Sequence, residues 1–262
     1  METVRKPWRS FLFFMFLGVL AVLTLLPMYI EIIPEQLAEF GIPLTIPVHV
    51  IALLSLINPL LFIIAGLVVG HLLASRTGLV SFVYETDRFR RPFWSRLVKV
   101  LKPAILFGFL GGIIVMSVEF LIQPLLPSEL QMAGASGSLS LIDFASRMLY
   151  GGVAEELMLR WGVMTLLAFL LWKIFSRKKL QPSPLLMWIS IVLSALLFAI
   201  GHFGATAAIT EITGIVLFRM LFLNGFLGLI YGWLFWKKGL EAAMIAHMVT
   251  HITLIVITFI FL

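Results

Sequence analysis

Seven largely apolar runs of 20 to 32 residues, separated by charged or proline- and glycine-bearing segments, leave this chain few choices of architecture. They are Phe11–Ile30, Pro47–Ala74, Pro103–Ile122, Leu141–Trp172, Pro184–Phe203, Thr213–Trp236 and Leu240–Leu262. A helix of that length crosses the hydrocarbon core of a bilayer, and inside lipid every backbone polar group must be satisfied within its own segment or a closed barrel. Strand-like alternation is absent, so the expected fold is all-α: a polytopic membrane helical bundle of about seven transmembrane helices. With 61% hydrophobic and 12% charged residues, the composition lies outside the range of water-soluble domains.

The basic residues alternate with the runs. Arg5, Lys6 and Arg9 precede the first, Arg76 to Lys102 separate the second from the third, Lys173 to Lys179 follow the fourth, and Lys237 and Lys238 follow the sixth. The intervening connections carry Glu31, Glu35, Glu39, Glu129 and Glu211 and no Lys or Arg. Because cytoplasmic loops collect Lys and Arg, this places the N-terminus inside and the C-terminus outside. It also accounts for the net charge of +6 by attraction to an anionic inner leaflet, so the basic excess does not indicate nucleic acid as a partner. The chain has no Cys, which excludes disulfides, thiol catalysis and thiolate-bound metal. The first run follows basic residues as a signal peptide would, yet its length and the lack of a small-residue cleavage site near Pro27 favour a retained helix. The expected location is a bacterial cell membrane, in multi-pass form.

Function divides the chain into residues 1–140, which carry the first three helices and a basic loop, and residues 141–262, which hold the chemistry-bearing groups. In the loop, Tyr84, Phe89, Phe93 and Trp94 are interleaved with charge, as in a segment lying at the membrane interface.

Within the fourth run the sequence reads Gly151-Gly152-Val153-Ala154-Glu155-Glu156-Leu157-Met158-Leu159-Arg160. A charge at the bilayer centre costs about 3 kcal/mol or more, so two adjacent carboxylates there need partners or a task. Glu156 and Arg160 stand at i and i+4 with the acid first, the favourable order for an ion pair on a helix. Glu155 projects about 100° away and is left for another partner. His202, between Gly201 and Gly204, ends the fifth run, and His247 and His251 share one face of the seventh at i and i+4. That spacing suits a common ligand or metal, but Met248 occupies the position where a helical zinc motif carries its glutamate. Arg219 and Glu119 stand at similar depth on the sixth and third runs and are expected to pair, with Glu211 as an alternative. His49 and His71 lie near the ends of a run and are expected at the interface.

The order Glu-Glu-x-x-x-Arg, Phe-x-x-x-His, His-x-x-x-polar resembles the CAAX protease and bacteriocin-processing family of intramembrane endopeptidases, which includes the Ras-converting CAAX prenyl endopeptidases. The likeness spans Leu141 to Ile255 and includes Asn224-Gly225-Phe226-Leu227-Gly228 through Tyr231-Gly232, leading to His247. It implies that Glu155 is the catalytic carboxylate, that Glu156 and Arg160 support it, that His202 joins Glu155 in activating a water, and that His247 and the residue four later stabilise the oxyanion. The family most often has Asn at that last position. Here it is His251, which as a neutral imidazole still donates one hydrogen bond.

The function expected is hydrolysis of a peptide bond in a membrane-associated or lipid-modified substrate by a glutamate-activated water, without a cofactor. Three alternatives stay open: a zinc protease with His202, His247 and His251 as ligands, a proton-coupled transporter, and a bacteriocin immunity protein. In straight parallel helices His202 falls near the outer end of its run and His247 in the inner third of its own. Tilt, a break at Gly151-Gly152, or an interfacial start to Leu141–Tyr150 is therefore required to unite the site.

Overall fold

The computed structural model describes residues 5–131 and 139–261, and among them every regular element is helical. Six helical stretches are long and apolar enough to cross a membrane: Val48–Thr77, Trp94–Leu125, Leu141–Phe175, Pro184–Ala207, Gly214–Lys238 and Leu240–Phe261. A bent pair, which passes the same test only when taken together, brings the number to as many as seven. Helix α1 (Trp8–Leu23) and helix α2 (Leu26–Glu39) meet at 45°, so the single helix expected over Phe11–Ile30 is corrected to two. Pro27 explains the bend, since it has no N–H to donate and its ring crowds the carbonyl four residues back, on Leu23. Helix α2 then runs on as an amphipathic segment with Glu31, Glu35 and Glu39 exposed. Pro59 acts in the same way on the second run, dividing it at Leu56 into α3 (Val48–Ser55) and α4 (Ile57–Thr77).

The basic loop contains α5 (Phe82–Phe89), and the expected interfacial placement is only partly right. Tyr84 is buried and sets its ring edge-on against His71 at 5.3 Å and Trp161 at 5.4 Å, which fastens the segment to the bundle. The N-terminus of α5 is closed by a carboxylate from the far end of the chain. Ser81 Oγ donates to Glu241 at 2.7 Å, and the backbone N–H groups of Phe82 and Val83 donate to it at 2.9 and 3.0 Å. An acid at a helix N-terminus satisfies unpaired N–H donors and meets the positive end of the helix dipole.

Helix α6 (Trp94–Ile122) follows, and α7 (Leu141–Ser146) opens on a capping box between Ser140 and Asp143. The chain continues in π-helical form over Arg147–Glu155 and Leu157–Met164 before resuming as α8 (Thr165–Phe175). The expected break at Gly151-Gly152 is therefore a widened helix that passes through the glycines unbroken. π-Helical turns are rare and concentrate at functional sites. Here a hydroxyl serves the widened backbone, with Thr165 Oγ1 donating to the Arg160 carbonyl five residues back, at 3.1 Å. The remaining elements are α9 (Pro184–Gly201), the short α10 (Phe203–Ala207), α11 (Gly214–Lys238) and α12 (Leu240–Phe261).

The π-helical stretch is central: α4 packs on its second part, α1 and α12 on its first, while α6 lines α12 and α9 lines α11. Small residues make these approaches possible, as expected where lipid supplies no hydrophobic drive for helix association. A Cβ on Gly66 of α4 would stand 2.6 Å from the Leu157 carbonyl, and one on Gly151 would stand 2.5 Å from His251 Nε2. The Glu119–Arg219 pair forms between α6 and α11, with Arg219 Nε donating to both carboxylate oxygens at 2.9 and 2.8 Å.

Candidate active site

Glu156 stands between the two π-helical runs, fully buried, and its Oε1 accepts from Arg160 Nη1 at 3.0 Å and from His247 Nδ1 at 2.9 Å. The ion pair read from the spacing thus exists, and it extends by one residue onto α12. Arg160 is also fully buried. Its Nη2 donates to the Gly228 carbonyl on α11 at 3.1 Å, and its guanidinium lies 4.9 Å from the Phe198 ring centroid and 5.3 Å from that of Tyr231. Hydrogen bonds at both Nη atoms and two ring faces replace part of the water this charge has lost, while Nε is buried without a partner among the described residues.

The hydrogen bond to Glu156 decides the chemistry of His247. A carboxylate only accepts, so Nδ1 carries the proton and Nε2 of the neutral ring is an acceptor. Tyr231 stacks on the imidazole with centroids 4.5 Å apart and planes 22° from parallel, and Phe198 meets its edge at 6.1 Å. The ring is held on both faces and at one nitrogen. Its free Nε2 lies 3.8 Å from Glu155 Oε2. That distance is too long for a direct hydrogen bond and suits two groups that share a small polar ligand. Glu155 also differs from its neighbour in access, with 16% of its side chain exposed against none for Glu156.

His251 stacks on the other side of His247, with centroids 4.9 Å apart and planes 18° from parallel. Both of its ring nitrogens are buried without a hydrogen-bond partner among the described residues, and Nε2 faces the bare Cα of Gly151. His202 joins the group through an aromatic contact: its ring packs edge-on against Phe198 at 4.9 Å, and its Nδ1 donates to the Phe198 carbonyl at 2.9 Å. Nε2 of His202 is thereby left as its acceptor. The distance problem posed by parallel helices is resolved at Phe198, whose one ring touches both His202 and His247.

The structure therefore gathers Glu155, Glu156, Arg160, His202, His247 and His251 around Phe198 and Tyr231. His247 stands 3.8 Å from Glu155, a contact that the resemblance had not implied. Among the described residues no three His, Cys, Asp or Glu side chains are grouped to hold a metal ion.

Comparison with known proteins matches residues 137–253 to the family described as type II CAAX prenyl endopeptidase Rce1-like. The likeness is to that family and spans this segment alone. The match begins just before α7 and ends within α12, so it covers every residue of the site. No curated protein and no solved structure matches the chain. By its description the matched family is one of endopeptidases, and the matched segment here lies within a bundle of helices long and apolar enough to cross a membrane.

Sequence reasoning left three groups in this region without a role. Tyr231 and Phe198 appear in the motifs without a chemical role, and their function as faces for Arg160 and His247 comes from α9 and α11 packing side by side. His71, expected at the interface, is instead buried: its Nδ1 lies 2.9 Å from the Leu67 carbonyl and 3.2 Å from Trp161 Nε1, and its Nε2 is 3.3 Å from Ser10 Oγ. A histidine beside Gly70 and one turn before Arg76 carries no sequence signal that separates these two placements.

Proposed function

We propose that this protein is an intramembrane endopeptidase in which Glu155 and His247 activate a water for attack on a peptide bond. The observation that carries the reading is the 3.8 Å separation of Glu155 Oε2 and His247 Nε2, with His247 fixed by the buried Glu156. A water between them donates one hydrogen to each acceptor and presents its oxygen to a scissile carbonyl. Glu155 takes the proton as the carbon–oxygen bond forms, and later returns it to the leaving amine as the carbon–nitrogen bond breaks. His251, whose ring nitrogens have no hydrogen-bond partner among the described residues, donates to the oxyanion. His202 offers Nε2 as a second acceptor, for the water or for a substrate N–H. No metal enters these steps.

The Rce1-like family name points to a prenylated C-terminal CAAX sequence as substrate. A lipid-modified tail reaches the site laterally from the bilayer, where a soluble peptide does not. The test uses purified protein in liposomes, a farnesylated CAAX peptide, and the same peptide without the lipid. Release of the C-terminal tripeptide, seen with the farnesylated peptide and reduced by about 10²–10⁴-fold in Glu155→Gln, is the expected result. A Glu155→Gln variant that cleaves at the wild-type rate would overturn the mechanism. Inhibition by a chelator with recovery on zinc would replace it with the zinc protease.

A further inference from the structure

The end of the bundle where α1 meets α5 holds an open cleft of about 600 Å³, separate from the site around Glu155. Its polar lining includes Arg5, Arg9 and Arg90, and its apolar lining includes Phe13, Val83 and Phe93. The three arginines come from three different places: the segment before α1, the first turn of α1, and the end of α5. Backbone contacts bring them together. The Arg5 N–H donates to the Arg88 carbonyl at 3.1 Å, and the Ser10 N–H and hydroxyl both donate to Asp87, at 2.8 and 3.1 Å. These bonds tie the start of α1 to the last turn of α5.

The same bonds commit the one acidic group of the cleft to Ser10. Other arginines nearby are also engaged, since Arg88 donates to Tyr84 Oη at 2.6 Å, and Arg91 and Arg96 pair with Glu85. Arg5, Arg9 and Arg90 take part in no ion pair among the described residues and are exposed. Arg90 adds an independent observation. It is the one non-glycine with positive φ among the described residues, at 56°, in a helix-terminating position that ordinarily falls to glycine. An arginine kept in that conformation is held there against its backbone preference.

We propose that this cleft binds the phosphate of an anionic phospholipid, with Arg5, Arg9 and Arg90 around the headgroup and an acyl chain along Phe13. Guanidinium groups match phosphate oxygens in geometry and charge. The apolar side of the cleft continues onto the exposed face of α1, where Trp8, Leu12 and Phe16 are each more than half exposed, and this favours a lipid over a free anion. Because α1 also packs on the first π-helical run, a lipid seated here braces the helix that carries Glu155.

The test compares purified, delipidated protein in neutral detergent with added phosphatidylglycerol, phosphatidylcholine or inorganic phosphate, reading bound lipid by native mass spectrometry and thermal stability in parallel. Phosphatidylglycerol is expected to remain bound at one per chain and to raise Tm, with phosphatidylcholine bound less. Arg90→Gly separates binding from folding. Glycine accepts the positive φ, so the delipidated variant melts at or above the wild-type temperature, while its affinity for phosphatidylglycerol falls about fivefold for the lost charge. Arg5→Gln/Arg9→Gln/Arg90→Gly is expected to abolish selective retention. Equal loss in Arg177→Gln/Lys178→Gln/Lys179→Gln, which removes three charges elsewhere, would overturn the proposal in favour of bulk attraction. Stabilisation by inorganic phosphate equal to that by phosphatidylglycerol would overturn the assignment to a lipid.

Discussion

Replacing Glu156 by Gln removes one charge from a buried pair while keeping the size of the side chain. Arg160 then remains charged at 1% side-chain exposure, with hydrogen bonds to Gly228 and to a neutral amide oxygen and the faces of Phe198 and Tyr231 as its compensation. Breaking a buried pair at one end costs about 3–5 kcal/mol, and the surviving ring contacts place Glu156→Gln near the lower figure. Arg160→Met strands the carboxylate instead and leaves the Gly228 carbonyl without a donor, for a similar total. The double variant holds no uncompensated charge, and the amide oxygen introduced by Glu156→Gln can still accept from His247. Its loss reduces to the Gly228 hydrogen bond, about 1–2 kcal/mol. The two changes should therefore be coupled by about 3 kcal/mol or more. The assay is reversible unfolding in mixed micelles titrated with a denaturing detergent, applied to all four proteins. Single-variant costs that add to within about 0.5 kcal/mol in the double variant would refute the electrostatic argument, as would a Glu156→Gln cost below about 1 kcal/mol.

Gly66→Ala, whose Cβ would meet the Leu157 carbonyl at 2.6 Å, is expected to cost about 1–3 kcal/mol by forcing α4 off the π-helical stretch. Gly201→Ala, with nothing within 4 Å, should be neutral or gain up to about 1 kcal/mol in the same titration. Glu241→Ala strands three donors at the start of α5 at about 1–3 kcal/mol each, so hydrogen exchange at Phe82 and Val83 should accelerate while the middle of α11 keeps its protection. If His251 donates to the oxyanion, His251→Asn retains peptide release to within about tenfold and His251→Ala loses about 10²–10³-fold, measured as turnover of the farnesylated peptide. Equal turnover in the two variants would remove His251 from the mechanism.

The sequence alone determined the solvent and the helical architecture, and it offered the candidates for the site. Apolar runs of membrane-crossing length permit little else, and a carboxylate or histidine inside such a run is conspicuous because burying it is costly. The Glu156–Arg160 pair was legible too, since i and i+4 positions meet on a helix whatever surrounds it. Tertiary structure decided the rest. That Glu156 extends to His247, that His247 and not His202 faces Glu155, and that Phe198 and Tyr231 form the walls all depend on how α9, α11 and α12 meet the π-helical stretch. The widened turns and the bare glycine faces that admit α4 and α12 have no periodic signature, because they answer to neighbouring helices. The same holds for Glu241, which reads as an acid at the start of α12 and serves as the cap of α5. Local spacing fixes which side chains share a helix face, but contacts between helices distant in the chain are set by close packing, which the order of residues along one helix does not record.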